Sequence, residues 1–224
     1  LGAGSGMDTG DIDIAAGTAV VFSGDRTLGA GANVTGAGTV RFANGQVNVM
    51  DAYDIATTGR TVVEGGLAVF NTASPTVAFT NPLTMTAGLL AGSDAIVTNG
   101  FDWSGGGIAA SGGMSGMLTT QGATNLTGSV VLNARTWNNV GDVNQGGTGS
   151  SQVGMMNGAL IENRGTWTLA TRDVNPVHSG PFNNLGTLTK SSDTTQTLAS
   201  AFNNSGQVNV KAGTLRVGRA TAPD

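Results

Sequence analysis

A handful of residues in this chain carry groups that could do chemistry. Asp8, Asp11 and Asp13 could gather calcium through carboxylate oxygens. No glycine-and-aspartate nonapeptide recurs around them, however, and no bidentate glutamate follows at loop spacing, so a solvated N-terminal face is the preferred reading. Asp173 and Asp193 lie twenty residues apart, with Arg172 beside the first. Two carboxylates and an arginine could hold a cation and supply a base for polysaccharide cleavage, but two unpaired acids are a thin version of such a site. His178 is the one histidine, inside the turn-like run Asn175-Pro-Val-His-Ser-Gly-Pro181. A catalytic triad would need a convergent nucleophile and acid, so a surface histidine is expected. Trp103, Trp137 and Trp167 could stack on sugar rings; the last two stand at inward parity, while Trp103 is uncommitted and free for the surface. No catalytic residue, metal ligand or cofactor site is assigned.

The elements that must position these groups follow from composition. Of 224 residues, 37 are glycine, 11% are charged and none is cysteine, with a net charge of −4. That glycine content argues against a helical bundle, because each glycine weakens a helix by about 1 kcal/mol. Hydrophobic content of 39% is too high for a disordered tail. Two lysines and eight arginines form no basic stripe, which speaks against nucleic acid as a partner. No run of 18 apolar residues is present to span a bilayer.

Repeats organise the chain. Trp137–Gln145, Ile161–Leu169, Phe182–Lys190 and Phe202–Val210 align without gaps. Their glycines, Gly141, Gly165, Gly186 and Gly206, are 24, 21 and 20 residues apart. Asparagine stands two residues before each, at Asn139, Asn163, Asn184 and Asn204, and a large apolar residue four before, at Trp137, Ile161, Phe182 and Phe202. In the N-terminal half glycine recurs every seventh residue at 10, 17, 24, 31, 38 and 45, then at 59 and 66. The fifth position of each heptad reads Ile14, Val21, Leu28, Thr35, Phe42, Val49, Ala56, Val63 and Phe70, an expected inward column. A coiled coil is excluded, because the seam would hold glycine amid β-branched residues. Three heptads make 21, so both halves share one period.

That period predicts an all-β, right-handed parallel β-helix, a three-sided solenoid of about 21 residues per coil and about ten coils. One domain spans 1–224, with heptad-glycine coils over 1–98, irregular glycine-rich coils over 99–158 and regular Asn-x-Gly coils over 159–224. Glycine is expected at corners of positive φ, and the asparagines as a hydrogen-bonded ladder. The run 101–116 is too glycine-rich for long strands, and 146–152 reads as a bulge. Phe182 and Phe202 are expected to stack in the interior, so that Phe202→Asp destabilises strongly. Lys190 and Gln145 share an inward column with Leu169 and Val210, so that side of the coil is expected to open to solvent. Thr166, Thr168, Thr187 and Thr189 stack outward as on an ice-binding face, but Asp142/Asn144 and Gln207/Asn209 break the array.

The rung Phe-Asn-Asn-x-Gly-x-Val-x-Val followed by Lys-Ala-Gly-Thr-Leu-Arg-Val (202–217) resembles repeats of large bacterial surface proteins. They are similar to filamentous-haemagglutinin-type adhesins and autotransporter passengers. The match covers roughly 89–217. The resemblance implies export to the cell surface or medium and a role as stalk, adhesin shaft or fibre. It carries no catalytic residues over, and Asn81-Pro82-Leu83 is too short to mark a secretion signature. The expected function is therefore that of a non-enzymatic, extracellular structural protein without cofactors. Its expected partners are further coils or further copies of itself stacked end to end, because neither end of the sequence offers a cap, and surface glycans. The alternative is a β-helical carbohydrate-binding or polysaccharide-degrading protein, with a polysaccharide lyase as its enzymatic form.

Overall fold

The computed structural model describes residues 4–110, 116–147, 149–198 and 201–218. Among them run twenty-nine strands, from Gly6–Asp8 to Thr214–Val217, and no helix. The strands pair in parallel, each with the strand one coil away. The chain turns round three faces in fixed order. Coil one is Gly6–Asp8, Ile12–Ile14 and Ala19–Phe22; coil ten is Thr195–Leu198, Phe202–Asn204 and Gln207–Val210, and Thr214–Val217 opens a further turn. Paired residues are separated by as few as 18 positions (Leu89 and Gly107) and as many as 24 (Gly107 and Val131). The fold is the expected β-solenoid.

Alternation along each short strand sorts the side chains. In Thr166–Leu169 the tryptophan and leucine are buried and the threonines half-exposed. The interior forms one continuous apolar cluster from Ile14 to Leu198. All eleven aromatic residues (seven Phe, three Trp, one Tyr) lie in two axial stacks. The first joins Phe22, Phe42, Tyr53, Phe70 and Phe79. The second runs Phe101, Trp103, Trp137, Trp167, Phe182 and Phe202 with centroids 4.9–5.7 Å apart. Phe202 is only partly buried, since it is the last ring of its stack.

Several expectations need correction. The middle contains the longest strands, Ala95–Trp103 and Met117–Leu126, which run unbroken round the corner between the second and third faces. They pair Ile96 with Leu118 and Phe101 with Thr124, and the register shifts between Thr98 and Gly100 where the sheet bends. Glycine permits rather than prevents this, because a Cβ on Gly122 would collide with the Asn99 carbonyl. Of the glycine-rich run, 111–115 lie outside the described residues, as do Thr148 in the second bulge and the residues from Arg219 to Asp224. The heptad column also slips: Ile14, Leu28, Phe42, Val49, Val63 and Phe70 are buried, but Val21, Thr35 and Ala56 are not. Coils of 19 to 22 residues are not three equal sevens, so in coil one Phe22 takes the inward place and Val21 faces out.

The column is closed rather than open at Gln145, Leu169 and Lys190, while Val210, in the last full described coil, is exposed. The Gln145 and Lys190 side chains are fully buried. Lys190 Nζ donates to Ser192 O and, in the next coil, to Ala212 O. Gln145 Nε2 donates to Ser151 O and Pro176 O, and its Oε1 accepts from Trp167 Nε1. Polar groups can stand in the interior because backbone carbonyls at the corner satisfy them.

Coil one carries a feature that the sequence did not announce. Asp8 and Arg26 occupy inward columns continued by Leu28 and Val47. They form an ion pair at 3.3 Å, and the guanidinium lies where a Gly6 side chain would be. A charged pair thus stands in columns that become apolar in the following coils.

Candidate functional site

Asn139, Asn163, Asn184 and Asn204 occupy equivalent places on successive coils, each closing a second-face strand. The first three are buried and Asn204 is exposed. Each Nδ2 donates to the next Oδ1, at 2.7, 2.8 and 2.6 Å in order. The ladder begins one coil earlier, where Trp137 Nε1 donates to Thr120 Oγ1 and that hydroxyl to Asn139 Oδ1. Interior members also donate to backbone oxygens, as Asn139 does to Gly141 O and Thr166 O. These asparagines point inward, and their amides take up the backbone acceptors of the corner.

The main chain of the same corner repeats as closely. The N–H groups of Arg164 and Gly165 both donate to Asn139 O, those of Leu185 and Gly186 to Asn163 O, and those of Ser205 and Gly206 to Asn184 O. The following residue then bonds the earlier glycine, as Thr166 N does Gly141 O. This brings the coils so close that a Cβ on Gly165, Gly186 or Gly206 would collide with the carbonyl oxygen of the preceding glycine, and one on Gly141 with that of Gly122. None of the four has positive φ. The corner requires glycine for backbone approach, not for its left-handed conformation, which corrects the expectation. The heptad glycines Gly17, Gly31 and Gly45 do take positive φ, between 70° and 87°.

Trp137, Ile161, Phe182 and Phe202 pair one above another beneath this ladder. The arrangement therefore binds coil to coil along the axis through three adjacent columns: amide, glycine backbone and apolar side chain.

The groups singled out for chemistry lie elsewhere and do not converge. Asp8 pairs with Arg26, and Asp11 accepts from Asn33 Nδ2 at 2.8 Å. Among the described residues no three His, Asp or Glu side chains form a cluster. Asp173 is fully occupied: it accepts from Ser151 N, and from Thr171, Ser150 and Gln152 side chains at 2.8, 2.9 and 3.0 Å. Burial pushes its pKa up, and these hydrogen bonds outweigh that and hold it below the ordinary value of 3.8. It braces the corner at Ser150, Ser151 and Gln152. Asp193 lies near Lys190 instead, where it partly offsets the burial that lowers the lysine pKa. His178 contacts Ser179 Oγ at 2.9 Å on the first face. All three tryptophans are fully buried, Trp103 included, with Nε1 bonded to Gly105 O in its case. They present no face to a sugar. Thr166 pairs with Thr187 and Thr168 with Thr189, but Thr189 is nearly buried and the array ends after two coils.

The sequence missed the bracing role of Asp173, the Asp8–Arg26 pair and a buried arginine, Arg135. Their partners lie 18 and 22 residues away for the Asp8–Arg26 pair and for Asp173, and 26 to 43 for Arg135, and none of the three recurs from coil to coil as the Asn-x-Gly columns do. Alignment of Asp8 with Leu28 in an inward column is the one signal that could have shown the first pair. No protein-family model matches the chain, and no curated protein or solved structure matches it.

Proposed function

We propose that this chain is a non-enzymatic structural protein of the bacterial exterior, a solenoid shaft that works as a stalk, adhesin shaft or fibre. The observation that carries the reading is the continuous asparagine ladder from Asn139 to Asn204, set over abutting glycines and an apolar stack. Such columns place cohesion along the axis, the direction in which a shaft bears load. The likeness of the 202–217 rung to adhesin and autotransporter repeats supports the same reading, and with it an extracellular location. Further coils, from the same chain or a second copy, are the partners that would continue a ladder whose last member among the described residues, Asn204, donates to Gly206 O. Surface glycans are a second class of partner.

Negative-stain imaging together with sedimentation over a concentration series tests the proposal. Rigid rods about 50 Å long, or end-to-end multiples of them, are expected from ten coils at about 4.8 Å each. Turnover of acidic polysaccharides in the presence of calcium would overturn it and favour the lyase alternative.

A further inference from the structure

Among the described residues, two junctions between neighbouring coils lack a strand ladder on one of the three faces. On the second face Tyr53–Ile55 ends a three-stranded sheet, and Thr76–Phe79 in coil four pairs forward with coil five. On the first face Val177–His178 ends the sheet that begins at Gly6–Asp8, and Thr195–Leu198 in coil ten pairs with Thr214–Val217. The other two faces stay paired at each junction. At the first, Gln46–Val49 joins Leu67–Phe70 and Arg60–Val63 joins Leu83–Met85. At the second, Phe182–Asn184 joins Phe202–Asn204 and Thr187–Lys190 joins Gln207–Val210.

The residues that face the first break follow from its flanks. Alternate residues of a parallel strand turn N–H and C=O toward opposite neighbours. Val34 N bonds Ala52 O and Ala56 N bonds Gly36 O, so Tyr53 and Ile55 face coil four. Ala95 N bonds Pro75 O, so Thr76 and Ala78 face coil three.

A buried amide bridges each break. Asn81 Nδ2 donates to Ile55 O at 3.3 Å and to Ala56 O at 3.2 Å. Gln196 Nε2 donates to Thr171 O at 2.7 Å, beside one main-chain bond from Thr197 N to Val174 O. The oxygens of these amides, Asn81 Oδ1 and Gln196 Oε1, are buried and meet no donor. Proline marks both places. Pro75 stands directly before Thr76–Phe79 and Pro176 directly before Val177–His178. Its ring fixes φ and brings no N–H to a ladder.

We infer that the solenoid is jointed: coils three and four can part on the second face, and coils nine and ten on the first, each hinging on the two faces that remain paired. A closed joint holds a buried acceptor without a donor, and opening admits water to it. Parting therefore costs less here than at a junction where a ladder must break. Apolar contacts such as Tyr53 on Phe79, with ring centroids 5.8 Å apart, favour the closed form without the fixed register of a ladder. The joints open on different faces, so the blocks they separate bend in different directions. The inference rests on strand pairing and stands whether or not the chain is a shaft.

The chain has no cysteine, so single cysteine variants report opening through a water-soluble thiol reagent. Val77 and Val177 are buried at the two joints, while Val63 and Leu188 are buried in strands paired on both sides. Val77→Cys is expected to be labelled at least about tenfold faster than Val63→Cys, and Val177→Cys than Leu188→Cys. On the unmodified chain, hydrogen exchange at the Tyr53, Ile55, Thr76 and Ala78 amides is expected to outpace Val34 and Ala95 by a similar factor. Equal labelling within either pair would overturn the joint concerned. Equal exchange would overturn the first joint even if Val77→Cys fails to fold.

Discussion

Asn163 Nδ2 donates to Asn184 Oδ1 at 2.8 Å, while its own Oδ1 accepts from Asn139 at 2.7 Å. One buried amide thus serves the coils on both sides, and its loss would leave unsatisfied groups above and below. Each buried orphan costs about 1–3 kcal/mol, so Asn163→Leu should destabilise by about 2–5 kcal/mol. Asn204, exposed at the ladder's end, should cost under about 1 kcal/mol when changed to Leu. Urea unfolding of the two variants checks this. Equal losses would show that the ladder is not read along the axis.

The glycine columns make a sharper claim. Gly165→Ala places a methyl group on the Gly141 carbonyl, and backbone on both sides prevents easy relief. A loss in the range of overpacked cores, about 1–3 kcal/mol or more, is expected. Gly10 has open space around its missing Cβ and no positive φ, so Gly10→Ala should melt like the parent.

Burial along the aromatic stack changes the expectation for Phe202. Phe182 is fully buried between Trp167 and Phe202, so Phe182→Ala should cost about 3–5 kcal/mol. Phe202, partly exposed, should cost less than about 1.5 kcal/mol as Phe202→Ala. Thr187→Ala on the outer surface should stay within about 0.5 kcal/mol. Thermal melts of the three rank them, and a Thr187 variant weaker than the Phe182 variant would invert the assignment of inside and outside.

How far the sequence could be read depends on which force set each position. The Asn-x-Gly coils were legible because one steric demand, a glycine against a glycine carbonyl, and one polar demand, an amide between amides, recur at each turn. The same double-donor corner exists at coils one and two, where Ala37 N and Gly38 N both donate to Ile14 O. It was invisible there because no asparagine marks it. Val21 against Phe22 shows the limit of counting: a one-residue change in coil length moves a side chain from inside to outside. Lys190, Gln145 and Arg135 were unreadable for another reason. Their partners are backbone carbonyls, which every residue has and no sequence pattern reveals.

Complete burial of the three tryptophans gives a spectroscopic test. Trp103, Trp137 and Trp167 stack in one column with each Nε1 bonded internally. Native emission should be blue-shifted and shielded from iodide, with both properties lost together on unfolding. A quenchable native fraction near one third would mean that one ring, Trp103 foremost, faces solvent.

Asp173 provides the pH dependence. Its donors hold the folded pKa below 3.8, so ionised Asp173 favours the folded state. From about pH 5 upward the carboxylate is charged in both states and this contribution is complete. As pH falls through 3.8 the unfolded chain binds a proton first, and the contribution drains away until the folded group titrates as well. Asp173→Asn replaces an all-acceptor group by one that must turn an NH2 toward one of its donors, Ser151 N among them. The variant should therefore melt well below the parent at pH 6, with the gap narrowing toward pH 3. A melting difference that stays constant over that range would mean that the acid limb belongs to other carboxylates and that Asp173 acts through packing alone.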